Sequence, residues 1–289
     1  MTGRCSWRHE KADFGRPGWR AGLNPAERAK LHVHLMDAFG EFDRVCRAHD
    51  IPYYLVAGSL LGAVRHRGII PWDDDVDIAL MRPDYERFLS VAAQELNGRY
   101  FLQTNNSDPE YFLCFAKIRV SGTKLVEASS IDCDIHSGVF IDILPFDNVP
   151  DWRVMRWLHA GICRLLNIMV LARGNYRDLS PLRNCVARVL RAFLRPIPFP
   201  TLMGWLQAAL QLSHNEESRY VVMFSGMSYR RDCLRRRYFK ESIDLTFGGH
   251  AASAPAMWHE YLTDLYGDYM TPPPEDERGK GHSVLELEL

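Results

Sequence analysis

An α+β core followed by an additional helical region is the fold class this sequence predicts, and three observations predict it. Up to about residue 150, strand-like and helix-like patterns are interspersed. Beyond Pro150 the pattern changes to long segments of helical apolar periodicity, punctuated by Pro181, Pro196, Pro198 and Pro200. The 289 residues, 47% hydrophobic and 25% charged, suffice to bury a substantial core in one large domain or a domain with a sizeable addition.

Residues 1–23 carry Gly, Pro and Arg without periodicity and read as an irregular segment. The first helix starts at Asn24, which can cap it, with Pro25 at the first helical position and Glu27 at capping-box spacing. Leu31, Leu35, Ala38, Phe42 and Val45 continue one apolar face until Pro52 ends it. Residues 53–57 read as a short strand broken by Gly58-Ser59, and 60–65 as one or two helical turns. Over 75–80, Val76, Ile78 and Leu80 alternate with Asp75, Asp77 and Ala79, which predicts a strand with one apolar and one acidic face. Pro83 opens a helix that includes Phe88, Leu89, Ala92 and Leu96. Residues 111–120, 124–127 and 139–144 are aromatic and β-branched strand candidates. Helices are expected over 152–173, 181–195 and 201–217, and a last one over 256–266 leads into extended Thr271-Pro272-Pro273-Pro274. The expected divisions are 1–23, a catalytic core over 24–150, a basic helical region over 151–240, and a C-terminal segment 241–289 packed on the core.

Composition excludes several function classes. The seven cysteines are scattered and include no C-x-x-C pair, which argues against a disulfide framework and a zinc knuckle. The best membrane-span candidate, 160–172, is short and carries Arg164. No apolar run near the N-terminus matches a signal-peptide core, so a cytoplasmic location is the expectation. The formal net charge of −1 hides an asymmetry, because residues 151–240 carry a local balance of +11 and the rest of the chain −12. Two readings of that basic region stay open. It is a helical cap with solvated arginines, or a surface bearing Trp152, Trp157 and Trp205 that lies peripherally against anionic lipid on the inner face of the membrane. Nucleic acid is not expected as a partner, since no binding motif accompanies the charge.

The chemistry concentrates between Gly58 and Asp77. Asp73, Asp74, Asp75 and Asp77 put four carboxylates into five residues, which repel one another unless cations neutralise them. On a strand Asp75 and Asp77 point the same way and can share a hard divalent cation, Mg²⁺ or Mn²⁺, suited to phosphate chemistry. A solvated acidic turn is the bland alternative, whereas an EF-hand fails for want of a glycine at the sixth loop position and a glutamate at the twelfth. The nearby Gly58-Ser59 turn offers backbone N–H groups and a hydroxyl to phosphate oxygens, which tips the balance towards a site. Asp142 sits in an otherwise apolar strand and needs a partner, either an arginine or a backbone amide that satisfies it, or a role as further metal ligand or base. Arg65, Arg67, Lys117 and Arg119 are candidates for clamping a diphosphate, with solvation the simpler account of Arg67.

These residues resemble the LicD family, the bacterial phosphocholine (phospho-alcohol) transferases related to fukutin and fukutin-related protein. The resemblance is carried by the block 57–80, by Lys117-Ile118-Arg119 with Thr123, by 138–147 with Asp142 at its centre, and by 266–278. It implies a nucleotidyltransferase-superfamily fold with a mixed sheet, and transfer of a phospho-alcohol from a donor such as CDP-choline to a sugar hydroxyl of a surface glycan, lipopolysaccharide or lipid-linked glycan. It places Gly58 and Ser59 in the phosphate turn, Asp75 and Asp77 on the metal pair and Asp142 on the third carboxylate. The chain departs from the family pattern at Phe247-Gly248-Gly249, where a glutamate is missing, at Trp258-His259 and at Gly281-His282. Two rivals remain: a nucleotidylyltransferase acting on a glycan, and a non-catalytic glycan- or membrane-binding protein with a degenerate site.

Overall fold

The computed structural model describes residues 23–176, 181–226, 228–275, 278 and 284–289. The expected irregular N-terminal segment, apart from Leu23, and the departure at His282 lie outside the described residues.

The first helix, α1 (Pro25–Ala48), begins as its sequence predicts. The Asn24 side chain accepts the Glu27 N–H at 2.9 Å, and the Glu27 carboxylate accepts the Asn24 N–H at 3.0 Å. Its apolar face, from Leu31 to Cys46, is buried. The chain then makes a two-residue strand β1 (Tyr54–Leu55) and turns at once into α2 (Ala57–His66). The expected break at Gly58-Ser59 is therefore the first turn of a helix, because the run after Ser59 is apolar and helix-competent. Strand β2 (Asp77–Met81) starts two residues later than expected, so Asp75 lies in the approach to it. Pro83 stands in the first turn of α3 (Arg82–Glu95) as predicted.

Of the candidate strand 111–120 only β4 (Ala116–Val120) forms. Upstream of it, the Asn105 amide donates to the carbonyls of Tyr111 at 2.6 Å and Leu113 at 3.0 Å, which occupies backbone groups that a neighbouring strand would need. β5 (Lys124–Glu127) matches its prediction, and β6 (Phe140–Asn148) extends past Pro145. Pro145 is tolerated where one flank of β6 changes partner, from β4 up to Ile143 to another strand from Phe146 onward.

The helices α4 (Arg153–Arg173), α5 (Pro181–Leu194) and α6 (Phe199–Leu210) follow. The last stops earlier than the expected 217, where the polar run from Ser213 to Ser218 begins. Six strands were not anticipated. They are β3 (Tyr100–Gln103), β7 (Tyr220–Met223), β8 (Cys233–Arg235), the hairpin β9 (Ser242–Phe247) with β10 (His250–Pro255), and β11 (Val284–Glu288). A short α7 (Tyr229–Asp232) and the expected last helix, α8 (Trp258–Tyr266), complete the elements used below.

The main sheet has seven strands in the order β1-β2-β6-β4-β3, with β7 added to β6 and β8 to β7. Only the β2–β6 pair is parallel, so the sheet is mixed. The region after 150 thus contributes strands to the core sheet as well as helices. α1 packs on β4 and β6, and α3 on β2 and β6. One apolar cluster fills the sheet and its helices, and a second gathers Phe112, Val149, Cys163, Val170, Leu202 and Leu206 beneath α4 and α6. Contrary to the sequence expectation, α4 is long and apolar enough by length and composition to cross a membrane.

Candidate active site

Register across the sheet puts the site's charges in one row. Asp77 on β2 pairs with Asp142 on β6, Asp142 with Lys117 on β4, and Lys117 with Gln103 on β3. Paired residues on neighbouring strands, about 4.8 Å apart, present their side chains to the same face. Lys117 Nζ lies 2.8 Å from Asp142 Oδ1 and 3.3 Å from the centre of the Phe140 ring. The contact lies off the hydrogen-bonding direction, and Asp142 Oδ1 is left without a hydrogen bond. A lone aspartate in an apolar strand thus finds a buried cation, and it is a lysine, not the arginine or backbone amide the sequence suggested.

Arg119, two residues along the same strand face, is turned to a structural use. Its Nε donates to Gln103 Oε1 at 2.7 Å and its guanidinium to the Gly138 carbonyl at 2.8 Å, with its charge 4.7 Å from the centre of the Phe140 ring. Burial lowers its pKa from the usual range, since the charged form is the one desolvation disfavours. Tyr111 is buried beside this row with no hydrogen bond to its hydroxyl. Burial first, and the Asp142 charge second, push that phenol well above its ordinary value.

The second acidic group is the turn before β2. Asp73, Asp74 and Asp75 are half-buried and each brings a carboxylate oxygen to within 4.8 Å of the others. Among the described residues this consecutive set forms such a group, whereas the triad Asp75, Asp77 and Asp142 does not. Asp73 is packed against the start of α2, where a Cβ added at Gly58 would lie 2.8 Å from Asp73 Oδ2. Ser59 Oγ accepts the Asp77 N–H at 2.8 Å, which ties the first turn of α2 to the first residue of β2. Ala57 enters the helix at φ 46°, a left-handed conformation costing an L-residue roughly 1–2 kcal/mol. Its N–H donates to the Tyr261 hydroxyl at 3.1 Å. Burial, and behind it the negative charge of Asp77, raise the Tyr261 pKa, and both act on Tyr266 as well.

Arg65 sits at the other end of α2. Its Nε meets His66 Nε2 at 2.9 Å and its guanidinium donates to the Tyr269 carbonyl at 2.9 Å. Trp72, one residue before the acidic run, has Arg65 at 5.6 Å from its ring centre and Arg278 at 4.7 Å. Burial lowers the Arg65 pKa, and the nearby Arg278 charge adds to it. Arg67 is exposed at the end of α2, as its simpler reading had it. A close approach holds this loop against the helix, since a Cβ at Gly62 would lie 2.4 Å from the Gly68 carbonyl oxygen.

The structure therefore brings Gly58, Ser59, Asp75 and Asp77 around one helix N-terminus. It sets Asp142 and Lys117 on the adjacent strands, puts Arg65 at the far end of α2, and commits Arg119 to the sheet interior. Sequence reasoning did not assign Tyr111, Tyr261, Tyr266 or Arg278 to the site. Arg278 and the α8 tyrosines lie some two hundred residues from the acidic run, and no local pattern connects them to it. Chemically, the all-oxygen donors Asp73, Asp74 and Asp75, with Asp77 beginning the next strand, fit a hard divalent cation.

Comparison with known proteins finds relatives of one family. Residues 50–159 match the family model described as LicD/FKTN/FKRP, nucleotidyltransferase domain, a stretch that holds the acidic turn, β2, β4 and β6. The chain is 29% identical over 268 residues to the lipopolysaccharide cholinephosphotransferase LicD of Haemophilus influenzae, covering 91% of this chain and 97% of that protein. It is also 52% identical over 40 residues to the ribitol 5-phosphate transferases FKRP of mouse and human, 14% of this chain and 8% of theirs. The mixed sheet with its acidic helix-to-strand turn thus belongs to a chain that is similar to the LicD family, by the family model over residues 50–159 and by likeness to one LicD protein along nearly its whole length.

Proposed function

We propose that this enzyme transfers a phospho-alcohol group, phosphocholine in the first instance, from a nucleoside-diphosphate-alcohol such as CDP-choline to a sugar hydroxyl of lipopolysaccharide or another cell-surface glycan. The observation that carries the proposal is the placement of the acidic turn 73–77 against the N-terminus of α2, within the stretch that matches the family model. The lipopolysaccharide acceptor and the choline phosphate group follow the name of the relative that matches over most of the chain.

In this reading the first turn of α2 offers its backbone N–H groups and positive dipole end to the donor diphosphate. The Ser59 oxygen accepts from the Asp77 N–H, which leaves its O–H as a further donor. Arg65 and Arg278, on either side of Trp72 in sequence, supply positive charge beside the acidic turn. Asp73, Asp74, Asp75 and Asp77 would hold Mg²⁺ or Mn²⁺, which when bound neutralises the charge on the diphosphate oxygens. The acceptor hydroxyl oxygen forms a bond to the phosphorus bearing the alcohol, the bridging P–O bond of the diphosphate breaks, and the nucleoside monophosphate leaves. Asp142 takes the hydroxyl proton, and Lys117, paired with its Oδ1, holds that carboxylate in place.

Asp75→Asn and Asp77→Asn should each lower turnover with CDP-choline and a lipopolysaccharide acceptor by at least about a hundredfold, with melting still cooperative. Retention of most of the activity in either variant removes that carboxylate from the site. Product mass tests the reaction itself. An acceptor gaining phosphocholine supports the proposal, and one gaining the nucleoside monophosphate replaces it with nucleotidyl transfer.

A further inference from the structure

The surface built by α4 and α5 has an amino-acid makeup unlike the rest of the molecule. Most of the exposed large hydrophobic side chains among the described residues fall between 152 and 212. On α4, Val154, Leu158, Ile162, Leu165 and Ile168 recur at three- and four-residue steps and form one exposed row, and Trp157, 70% exposed, stands beside it. Arg153 and Arg164 fall on the Trp157 side of that row, at the edge of the apolar arc. On α5, Val186, Val189 and Phe193 make a second exposed row, with Phe193 78% exposed. Neither helix contains an aspartate or a glutamate.

The inner face of α4 fastens it to the body of the protein. His159 bonds to the Tyr229 hydroxyl and, at 2.7 Å, to the Ala209 carbonyl, and the Asn167 amide donates to the Gly226 carbonyl at 3.2 Å. Arg156 also turns inward, 3.9 Å from the centre of the Tyr220 ring. A helix with this polar tethering on one side lies along a surface and does not thread through a bilayer, despite its length and hydropathy.

A cleft of about 500 Å³ opens between the end of α4 and α5, lined by Arg173, Arg188, Arg191, Ala192 and Arg195. Arg173 and Arg191 are anchored through backbone carbonyls, of Ile197 at 3.2 Å and Ala172 at 3.0 Å. Arg188 and Arg195 are exposed, and among the described residues no carboxylate pairs with either. Four guanidinium groups around one cleft, next to two bare apolar rows, match a surface that is anionic at its phosphates and apolar just beneath them.

We propose that the α4–α5 face docks the protein on the surface of an anionic phospholipid bilayer. The apolar rows seat at the headgroup boundary, and the arginines of the cleft take lipid phosphates. This inference does not depend on the transfer reaction, and Asp77→Asn should bind membrane as the parent protein does.

The test is flotation of the full chain with vesicles of phosphatidylcholine alone and of phosphatidylcholine mixed with phosphatidylglycerol. The expected result is partition onto the mixed vesicles, weakened by salt, with little binding to phosphatidylcholine alone. The exposed-site double variants Arg188→Glu/Arg195→Glu and Trp157→Ser/Phe193→Ser should each lower that partition by about tenfold or more while keeping the parent's circular dichroism and melting. Equal binding to both vesicle types, or unchanged partition in both variants, overturns the proposal. So does absence of vesicle binding together with a concentration-dependent dimer that Trp157→Ser/Phe193→Ser abolishes, which would assign the face to a second copy of the chain.

Discussion

Lys117 and Asp142 show how much at the residue scale rests on a single pairing. Lys117 is 3% exposed and its partner carboxylate 11%, so neither charge is well hydrated. Removing one member leaves the other uncompensated, a change that typically costs about 3–5 kcal/mol. Lys117→Met should therefore destabilise the protein by about 3 kcal/mol in urea unfolding, and Lys117→Met/Asp142→Asn should recover a good part of that loss. Strict additivity of the two substitutions would show that the side chains do not interact. Asp142 was legible in the sequence as a carboxylate requiring a partner, and the identity of that partner was not. Pairing register supplied it, because it sets Lys117 directly across from Asp142. Asp73 and Asp74 were legible as part of the acidic run, but strand alternation directed attention to Asp75 and Asp77. The chain is still irregular at Asp73–Asp75, so alternation did not govern their positions.

Among the elements, α4 couples the second apolar cluster to pH through His159. Burial lowers the His159 pKa from its ordinary value, and the neutral ring bonds to Tyr229 and to the Ala209 carbonyl. A histidine depressed in the folded state binds fewer protons there than in the unfolded chain once pH falls to about 6.5. Its contribution is thus fully present above that value and declines as the solution is acidified through it. His66 and His136, also lowered chiefly by burial, act in the same sense. The melting temperature should fall between pH 7.5 and 5.5 (about one unit either side of that midpoint), and His159→Gln should flatten part of the slope. An unchanged slope in that variant would remove His159 as a contributor. At this scale, α1 followed its capping and periodicity closely, and α3 and α4 their periodicity, since those signals are local. The short strands β3, β7 and β8 did not show themselves, because three or four residues carry too little pattern to separate a strand from a loop.

The whole molecule divides its burial unevenly. α1 contributes many side chains with no solvent exposure and β6 is buried from Phe140 to Asp147, whereas α5 has Leu194 at 9% as its buried hydrophobic residue among those described. Local opening follows such differences. Hydrogen exchange followed by mass spectrometry should show amides of α5 exchanging much faster than those of α1 and β6, with α4 and α6 between them. Uniform protection across these elements would mean that the helical region and the sheet open as one unit.

The sequence by itself determined the α+β class, the dense acidic run ending at Asp77, and a basic, largely helical region after residue 150, because each is written in residues adjacent along the chain. The tertiary structure decided which distant groups meet. Lys117 faces Asp142, Tyr261 bonds to Ala57, Arg278 comes to Trp72, and Phe193 stays bare. The physical reason is that strand register and helix packing are selected by burial summed over the whole sheet, which no short stretch of sequence contains.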